Sequence, residues 1–248
     1  MKGEGAMTEE EKPRLPPGQH LTDEFPVLHV GPVPRFDPTT WELRIEGEVR
    51  EPKRLTYQEL RALPSMIDVS DFHCVTTWSM FDAAWEGVRF SDLADLAGPT
   101  ERARFVTIGC DGGPSTLRQA QSRPSQDQGH PERSRGATGS GSPAASQQWP
   151  PRAQPRGGYT TSLPIDDMMR PDVVLAWGMN GKDLSAEHGF PLRLIVPHKY
   201  AYKAAKWVRW IRFTYEQELG YWEQRGYSDS ANPWREERHA LCLDPDYA

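Results

Sequence analysis

The residue with the clearest potential for chemistry is Cys74, in the stretch Asp71-Phe-His-Cys-Val-Thr-Thr-Trp-Ser79. An apolar-leaning run from Met66 to Val69 precedes it and predicts a buried strand, and Trp85-Glu-Gly-Val88 after it is typical of a turn. A cysteine at the end of a core strand can point into a cleft. A single cysteine is also often a small buried apolar residue, so the stretch alone leaves both interpretations open.

The chemistry open to Cys74 is that of a nucleophile or of a metal ligand. A thiolate is a soft ligand that suits a thiophilic metal rather than magnesium or calcium. A cysteine hydrolase would need a histidine base, but His73 is adjacent and points to the opposite face of a strand. The other cysteines, Cys110 and Cys242, form no C-x-x-C pair with it, which argues against a zinc site and a disulfide framework.

A second candidate group is the lysine cluster Lys199, Lys203 and Lys206, which follows Gly189-Phe-Pro-Leu-Arg193. Lysines around a proline-terminated loop can bind an anion such as phosphate through charged donors and backbone N–H groups. Lysines at this spacing are also typical of a solvated face. The residues alone leave both interpretations open.

Composition and charge give no support to several classes of function. The 248-residue chain has a net charge of -6, which gives no reason to expect nucleic acid or an anionic membrane as a partner. No run of about 18 apolar residues is present, so no membrane span is predicted. The first 17 residues are charged and proline-rich, with no apolar signal region and no twin-arginine pair, which predicts a cytoplasmic location.

Short strands and brief helices are predicted to position these residues. Strict alternation predicts a half-buried strand over Trp41–Val49, and the capping-box spacing of Thr56 and Glu59 predicts a helix that ends before Pro64. Asn180-Gly181 is a hairpin signal. Similar patterns predict strands at 105–108, 173–177, 192–196 and 207–213, and helices after Ser91 and Pro164. Without regular strand–helix alternation, these elements predict a single mixed α+β domain.

Two segments do not have the composition of a core. Residues 1–20 are polar and proline-rich, which predicts a disordered leader. Residues 114–157 are rich in Ser, Gln, Pro, Gly and Arg, which predicts a low-complexity insertion in a surface loop of the 21–248 domain. Removing the insertion would join Cys110-Asp-Gly-Gly to Tyr159-Thr-Thr-Ser as strand, turn and strand.

Several motifs share one resemblance. They are His73-Cys-Val-Thr-Thr-Trp-Ser79, Trp85-Glu-Gly-Val88, Tyr159-Thr-Thr-Ser-Leu-Pro164, His188-Gly-Phe-Pro-Leu-Arg-Leu-Ile-Val-Pro197 and Lys206-Trp207. In this order they resemble the sulfite oxidase-like molybdopterin oxidoreductases, over roughly Phe25 to Arg238 apart from the insertion. The resemblance implies the sulfite-oxidase fold, with mixed sheets and short helices.

The resemblance also implies a cofactor and its site. The cofactor would be mononuclear molybdenum held by one molybdopterin, and Cys74 would be both the metal ligand and the catalytic residue. Residues at the family's cofactor-binding positions are His29, His73, Cys74, Thr107, His188, Arg193, Ala204, Ala205 and Lys206. The implied partners are a small-molecule substrate and an unidentified electron donor or acceptor.

The chain departs from sulfite oxidases in the residues after Cys74. Those enzymes carry an arginine there, whereas this chain has Val75-Thr-Thr-Trp78, which predicts a substrate other than sulfite. The stretch is closer to the bacterial methionine-sulfoxide reductase catalytic subunits. The family's C-terminal immunoglobulin-like dimerisation domain has no counterpart, so dimerisation by that route is not expected.

The leading hypothesis is a cytoplasmic molybdenum-dependent oxidoreductase. It would carry out two-electron oxygen-atom transfer on a small oxidised or oxidisable substrate. One alternative is a protein that binds molybdopterin without turnover because the insertion inactivates it. A second alternative is a thiol enzyme that uses Cys74 without a metal.

Overall fold

The computed structural model describes residues 13–111 and 158–240. Its strands are β1 (His20–Leu21), β2 (Glu42–Gly47), β3 (Lys53–Thr56), β4 (Met66–His73), β5 (Trp78–Arg89), β6 (Phe105–Cys110), β7 (Thr160–Pro164), β8 (Val174–Met179), β9 (Lys182–Asp183), β10 (Arg193–Ile195) and β11 (Val208–Thr214). The helices are α1 (Tyr57–Arg61), α2 (Phe90–Ala97) and α3 (Ile165–Met168). The predicted mixed α+β class with short helices is therefore confirmed.

The strands form two sheets. One sheet has the order β1-β5-β8-β10, with β4 also paired to β5 and β9 to β8. The other has the order β3-β2-β11-β6-β7. Between them lies the main apolar core, to which Leu43 of β2, Leu93 of α2, Ile108 of β6 and Leu175 of β8 contribute fully buried side chains. Within the described ranges, no helix is both long enough and apolar enough to span a membrane.

Local sequence rules predicted several elements correctly. The alternating residues of β2 form a strand whose Leu43 and Ile45 are buried. Thr56 and Glu59 form a reciprocal capping box at the start of α1. Asn180 and Gly181 both have positive φ and join β8 to β9, as a two-residue hairpin turn requires.

The predicted turn at 85–88 is wrong, because these residues lie inside β5. Trp85 is fully buried, and Gly87 allows β8 to approach closely, since a Cβ at this position would lie 2.1 Å from the Leu175 carbonyl oxygen. The glycine therefore serves close strand packing and not chain reversal.

The apolar run before Cys74 is a strand, but it is not buried as predicted. Ile67 and Val69 of β4 are 66% and 61% exposed, because among the described strands β4 pairs only with β5 and turns these side chains away from the core. The start of α2 also differs from the prediction. The helix begins at Phe90 with Arg89 as its N-cap, so Ser91 lies inside the first turn.

The predicted disordered leader is corrected for residues 13–20, while residues 1–12 lie outside the described ranges. Arg14 forms hydrogen bonds with Asp71 at 2.8 Å and with Asp82. His20 begins β1, which pairs in parallel with β5. The polar composition of the leader concealed these pairings because its partners lie more than fifty residues away.

The predicted insertion at 114–157 lies outside the described residues, but its flanks are informative. β6 and β7 are antiparallel neighbours with Gly109 opposite Thr160. The pairing continues at the next position, where the Cys110 N–H donates to the Tyr159 carbonyl at 3.0 Å. The two sides of the segment are therefore adjacent strands of one sheet, as the strand-turn-strand prediction requires.

We expect a variant that lacks residues 112–157 to fold with equal or higher stability. The deletion joins Asp111 to Gly158 between paired Cys110 and Tyr159, and Asp-Gly is a favoured two-residue hairpin turn. A shorter closed loop also costs less entropy. Urea unfolding of the deletion variant and of the full chain tests this.

The matched control is the same deletion with Gly158→Val. A β-branched residue disfavours the positive φ of this turn, so the control should be less stable by about 1–2 kcal/mol. Aggregation or loss of secondary structure in the Asp-Gly variant would contradict the prediction.

Candidate active site

Cys74 lies in the tight turn that joins β4 to β5. The Cys74 N–H donates to the Trp78 carbonyl at 2.8 Å, and the Thr77 N–H donates to the Cys74 carbonyl at 3.0 Å. Thr77 has a φ of 78°, in a region that β-branched residues rarely adopt. The turn therefore holds Cys74 in a defined position at a local conformational cost.

The N-terminal segment supports this turn. The side-chain amide of Gln19 donates to the Cys74 carbonyl at 3.2 Å, and its oxygen accepts from the Ser79 hydroxyl at 3.3 Å. The His20 N–H donates to the Thr77 carbonyl at 2.9 Å. Residues predicted to be disordered thus bind both ends of the turn.

His73 and Cys74 face different sides, as the strand alternation predicted. The Nδ1 atom of His73 lies 2.8 Å from the Ser79 hydroxyl, and its ring is buried edge-on to Trp234. Burial lowers the pKa of His73 to about 4, so the imidazole is neutral at physiological pH. Because His73 faces away from the Cys74 thiol and its low pKa makes it a weak base, it is poorly suited to deprotonate that thiol, which counts against a cysteine hydrolase.

The Cys74 side faces a cavity of about 350 Å³. Its lining includes most of the predicted cofactor-binding residues, namely His29, Cys74, Arg193, Ala204, Ala205 and Lys206. Phe25, Phe72 and Trp78 add an aromatic wall close to Cys74. Segments far apart in sequence therefore converge on one cavity around the thiol.

Arg193 places a positive charge in this cavity without a described carboxylate partner. It is 3% exposed, and one terminal nitrogen donates to the His188 carbonyl at 2.9 Å. Its guanidinium lies 5.2 Å and 5.0 Å from the ring centres of Phe25 and Phe72, while Nε has no partner in the described part of the chain. Burial lowers the pKa of Arg193 to about 10. A buried cation of this kind is complementary to an anionic ligand.

Lys206 adds a second cationic group. Its ammonium donates to the Glu187 carbonyl at 2.6 Å. Burial and the nearby Arg193 charge lower the pKa of Lys206 to about 7, while Glu187 and the Cys74 thiolate oppose this shift. An anion in the cavity would reverse the effect and hold Lys206 in its charged form.

The other two lysines of the predicted cluster do not line this cavity. Lys199 pairs with Asp167 at 2.7 Å. Lys203 is fully buried, pairs with Glu223 and donates to the Ser162 carbonyl at 3.0 Å. The interpretation of all three lysines as one anion site is therefore wrong, as is the alternative of a solvated face for Lys203.

Glu223 connects three parts of the chain. One carboxylate oxygen accepts from Lys203 and, at 2.7 Å, from the Thr161 hydroxyl, while the Ser162 N–H lies 3.5 Å away. Lys203 belongs to the loop before Lys206, and Thr161 belongs to β7. This buried interaction therefore ties the C-terminal segment to β7 and to the loop that carries Lys203 and Lys206.

Sequence reasoning missed part of the cavity wall. Tyr159, Tyr202, Trp222 and Tyr227 also line it. The Tyr159 hydroxyl donates to the Tyr202 carbonyl, and the Tyr202 hydroxyl donates to the Ser228 carbonyl at 2.5 Å. No local spacing in the sequence identifies these partners.

Three predicted cofactor-binding residues lie outside the lining of the cavity. His73 faces the opposite side. His188 uses Nε2 toward the Phe25 carbonyl and Nδ1 toward the Ser185 hydroxyl, both at 2.9 Å, so its ring positions the wall. Thr107 lies on β6 with a buried hydroxyl that has no hydrogen-bond partner among the described residues.

The residues that do line the cavity fit a molybdopterin. A soft sulfur ligand faces the cavity, and two partly or fully buried cationic groups lie beside it without a described carboxylate between them. The dithiolene and phosphate of the cofactor are both anionic, so these groups match its charge. The flat aromatic and alanine surfaces suit a planar ring system.

Comparisons with known proteins agree with this geometry. The model of the oxidoreductase molybdopterin binding domain matches residues 30–127 and 141–222. The chain is 37% identical over 226 residues to the uncharacterized oxidoreductase YuiH of Bacillus subtilis, and the match covers 91% of each protein. It is 30% identical over 203 residues to the protein-methionine-sulfoxide reductase catalytic subunit MsrP of Campylobacter jejuni, covering 80% of this chain and 59% of that protein.

A solved structure shares the fold. The sulfane dehydrogenase SoxCD of Paracoccus pantotrophus superposes with a TM-score of 0.50 at 20% identity. The match covers 74% of this chain and 40% of the SoxCD chain. At this identity the likeness supports the sulfite-oxidase-type fold alone.

We expect Glu223→Gln to lower the free energy of unfolding by about 3 kcal/mol, because it leaves the Lys203 ammonium buried without its counter-charge. Urea unfolding measures the change. Glu101→Gln, at an exposed loop position, is the control and should change stability by less than about 0.5 kcal/mol. Equal stability of the Glu223 variant and the wild type would contradict the role assigned to this pair.

Proposed function

The chain belongs to the sulfite oxidase-like molybdopterin oxidoreductases, and we propose that it transfers an oxygen atom at a molybdenum centre bound by Cys74. Membership of this family makes it a molybdopterin-dependent oxidoreductase. The observation that carries the proposal is the Cys74 thiol facing a cavity that also holds Arg193 and Lys206. A sulfur ligand beside two cationic groups that form no ion pair with a carboxylate among the described residues supports a metal bound to an anionic organic ligand better than it supports a thiol enzyme.

The chain's own residues have distinct roles in this proposal. Cys74 supplies the thiolate and is held in place by its turn and by Gln19. Arg193 and Lys206 bind the anionic parts of the cofactor, while Ala204 and Ala205 form the adjacent surface. When bound, the metal centre supplies the two-electron redox chemistry and the oxygen-atom transfer.

The proposed substrate is small and uncharged. The residues that follow Cys74 contribute Val75, Thr76 and Trp78 to the cavity, with no arginine among them to bind sulfite. The aromatic rings of Trp222 and Tyr227 line the cavity and favour apolar substituents. A sulfoxide is the first substrate class to test, because the MsrP relatives are named as methionine-sulfoxide reductases. This chain spans 50–59% of the length of those relatives.

An external electron donor or acceptor completes the proposed reaction, because oxygen-atom transfer changes the metal centre by two electrons. We propose that a separate redox partner exchanges these electrons with the site.

The primary experiment measures molybdenum and released pterin per chain after expression in a cofactor-competent host, together with dye-linked reduction of sulfoxides and N-oxides. We expect about one molybdenum and one pterin per chain in the wild type. Cys74→Ser should lose redox activity, because it removes the metal's sulfur ligand. Cys110→Ser is the matched control, since Cys110 is also buried and free but does not line the cavity.

The outcomes separate the two candidate functions. Absence of pterin and molybdenum from the wild type would overturn the proposal. Full cofactor occupancy without activity on any of these substrates would favour the alternative, a protein that binds molybdopterin without turnover.

A second prediction concerns Arg193. Arg193→Met should lower retention of pterin about tenfold or more, because it removes a charged donor to the cofactor. The same change should raise the free energy of unfolding of the cofactor-free protein by about 1 kcal/mol, because it removes a buried charge that has no carboxylate partner within 13–111 and 158–240.

Pterin content after gel filtration and urea unfolding of the cofactor-free protein measure the two effects. Arg102→Met, at an exposed arginine, is the control and should change neither quantity. A stability loss together with unchanged pterin content would show that Arg193 has a structural role only.

A further inference from the structure

We propose that the Thr76 hydroxyl donates a hydrogen bond to the Cys74 sulfur and thereby raises the reduction potential of the metal that this sulfur binds. This inference rests on the proposed function, because it requires Cys74 to be the metal ligand. It assigns a role to Thr76, which lies in the His73–Ser79 motif but is not among the residues at the family's cofactor-binding positions.

The geometry places the two atoms in contact. The Thr76 Oγ1 atom lies 3.1 Å from the Cys74 sulfur. Among the described residues, neither the Cys74 sulfur nor the Thr76 hydroxyl forms another hydrogen bond. The turn fixes their separation, because Cys74 and Thr77 are joined by a backbone hydrogen bond of 3.0 Å across Thr76.

Binding of a metal determines the direction of this hydrogen bond. In a free thiol either atom can be the donor. A metal-bound cysteine is a thiolate and carries no proton, so the hydroxyl has to donate and the sulfur accept. The Thr76 side chain lines the cavity and needs no rearrangement to do so.

The expected consequence is electronic. A hydrogen bond to a thiolate withdraws electron density from sulfur and weakens its donation to the metal, which favours the reduced, more electron-rich state of the metal. Arg193 and Lys206 act on the same sulfur through their charges, but they form no described hydrogen bond with it. Thr76 therefore provides the local, directional part of this influence.

The test uses three variants of the cofactor-loaded protein. Thr76→Val has nearly the same shape without the hydroxyl, and Thr76→Ser keeps the hydroxyl. Thr77→Val is the matched control, because it removes a neighbouring exposed hydroxyl while preserving the β-branched shape at the strained position. The readouts are molybdenum per chain, the reduction midpoint potential and the sulfur-to-metal charge-transfer absorption band.

We expect Thr76→Val to retain molybdenum and to favour the oxidised metal about tenfold more than the wild type does. For a two-electron couple, this shift is a potential about 30 mV lower. The charge-transfer band should move to longer wavelength, because the sulfur lone pairs rise in energy. Thr76→Ser and Thr77→Val should match the wild type in both measurements.

Other outcomes would contradict either this inference alone or the proposed function as well. An unchanged potential and band in molybdenum-loaded Thr76→Val would overturn this inference and leave the proposed function intact. An equal shift in Thr77→Val would also overturn it, since the effect would then come from the turn and not from the hydrogen bond. Absence of molybdenum from the wild type would overturn the proposed function, and this inference with it.

Discussion

The buried ion pair between Lys203 and Glu223 is the interaction on which the cavity depends. Both side chains are removed from water, so each needs the other as a counter-charge, and their pairing fixes the segments that carry them. Burial lowers the pKa of Lys203, whereas the negative charge of Glu223 opposes this shift and favours the charged ammonium. The loop with Lys206, the start of β7 and the C-terminal aromatic segment are thereby held around one space.

The opposite side of the cavity depends on backbone geometry. The Cys74 turn contains a threonine in a conformation that usually favours glycine, and it is supported by Gln19 and β1 from the N-terminal segment. The half of the chain at residues 13–111 thus positions the sulfur, and the half at residues 158–240 positions the cationic groups. Neither half alone contains the donor set that suits an anionic metal cofactor.

Sequence reasoning identified the parts of the site that lie within local motifs. Cys74, Arg193 and Lys206 were predicted from contiguous stretches, and the structure places all three at one cavity. The strand at β2 and the capping box of α1 were also predictable, because alternation and capping depend on neighbouring residues.

The remaining features depend on partners distant in sequence. Three contacts join segments separated by many residues. Gly87 packs closely against β8, Lys203 pairs with Glu223, and Gln19 supports Cys74. In two of these cases, the composition of the segment led to a wrong prediction. A polar leader predicted disorder, and closely spaced lysines predicted a common role, because neither pattern shows which buried acceptors the fold supplies.

The division of the site between two halves has a consequence for assembly. Residues 13–111 carry Cys74, residues 158–240 carry Arg193 and Lys206, and both sheets take strands from each half. The Trp234 indole donates to the Pro13 carbonyl at 2.7 Å, so the outer ends of the halves also meet. A ligand that binds both halves acts as a non-covalent cross-link, and its binding favours their association by an amount that grows with the ligand concentration relative to its Kd. Two separately produced fragments could therefore be brought together by the cofactor, with its capture reporting that the halves have joined.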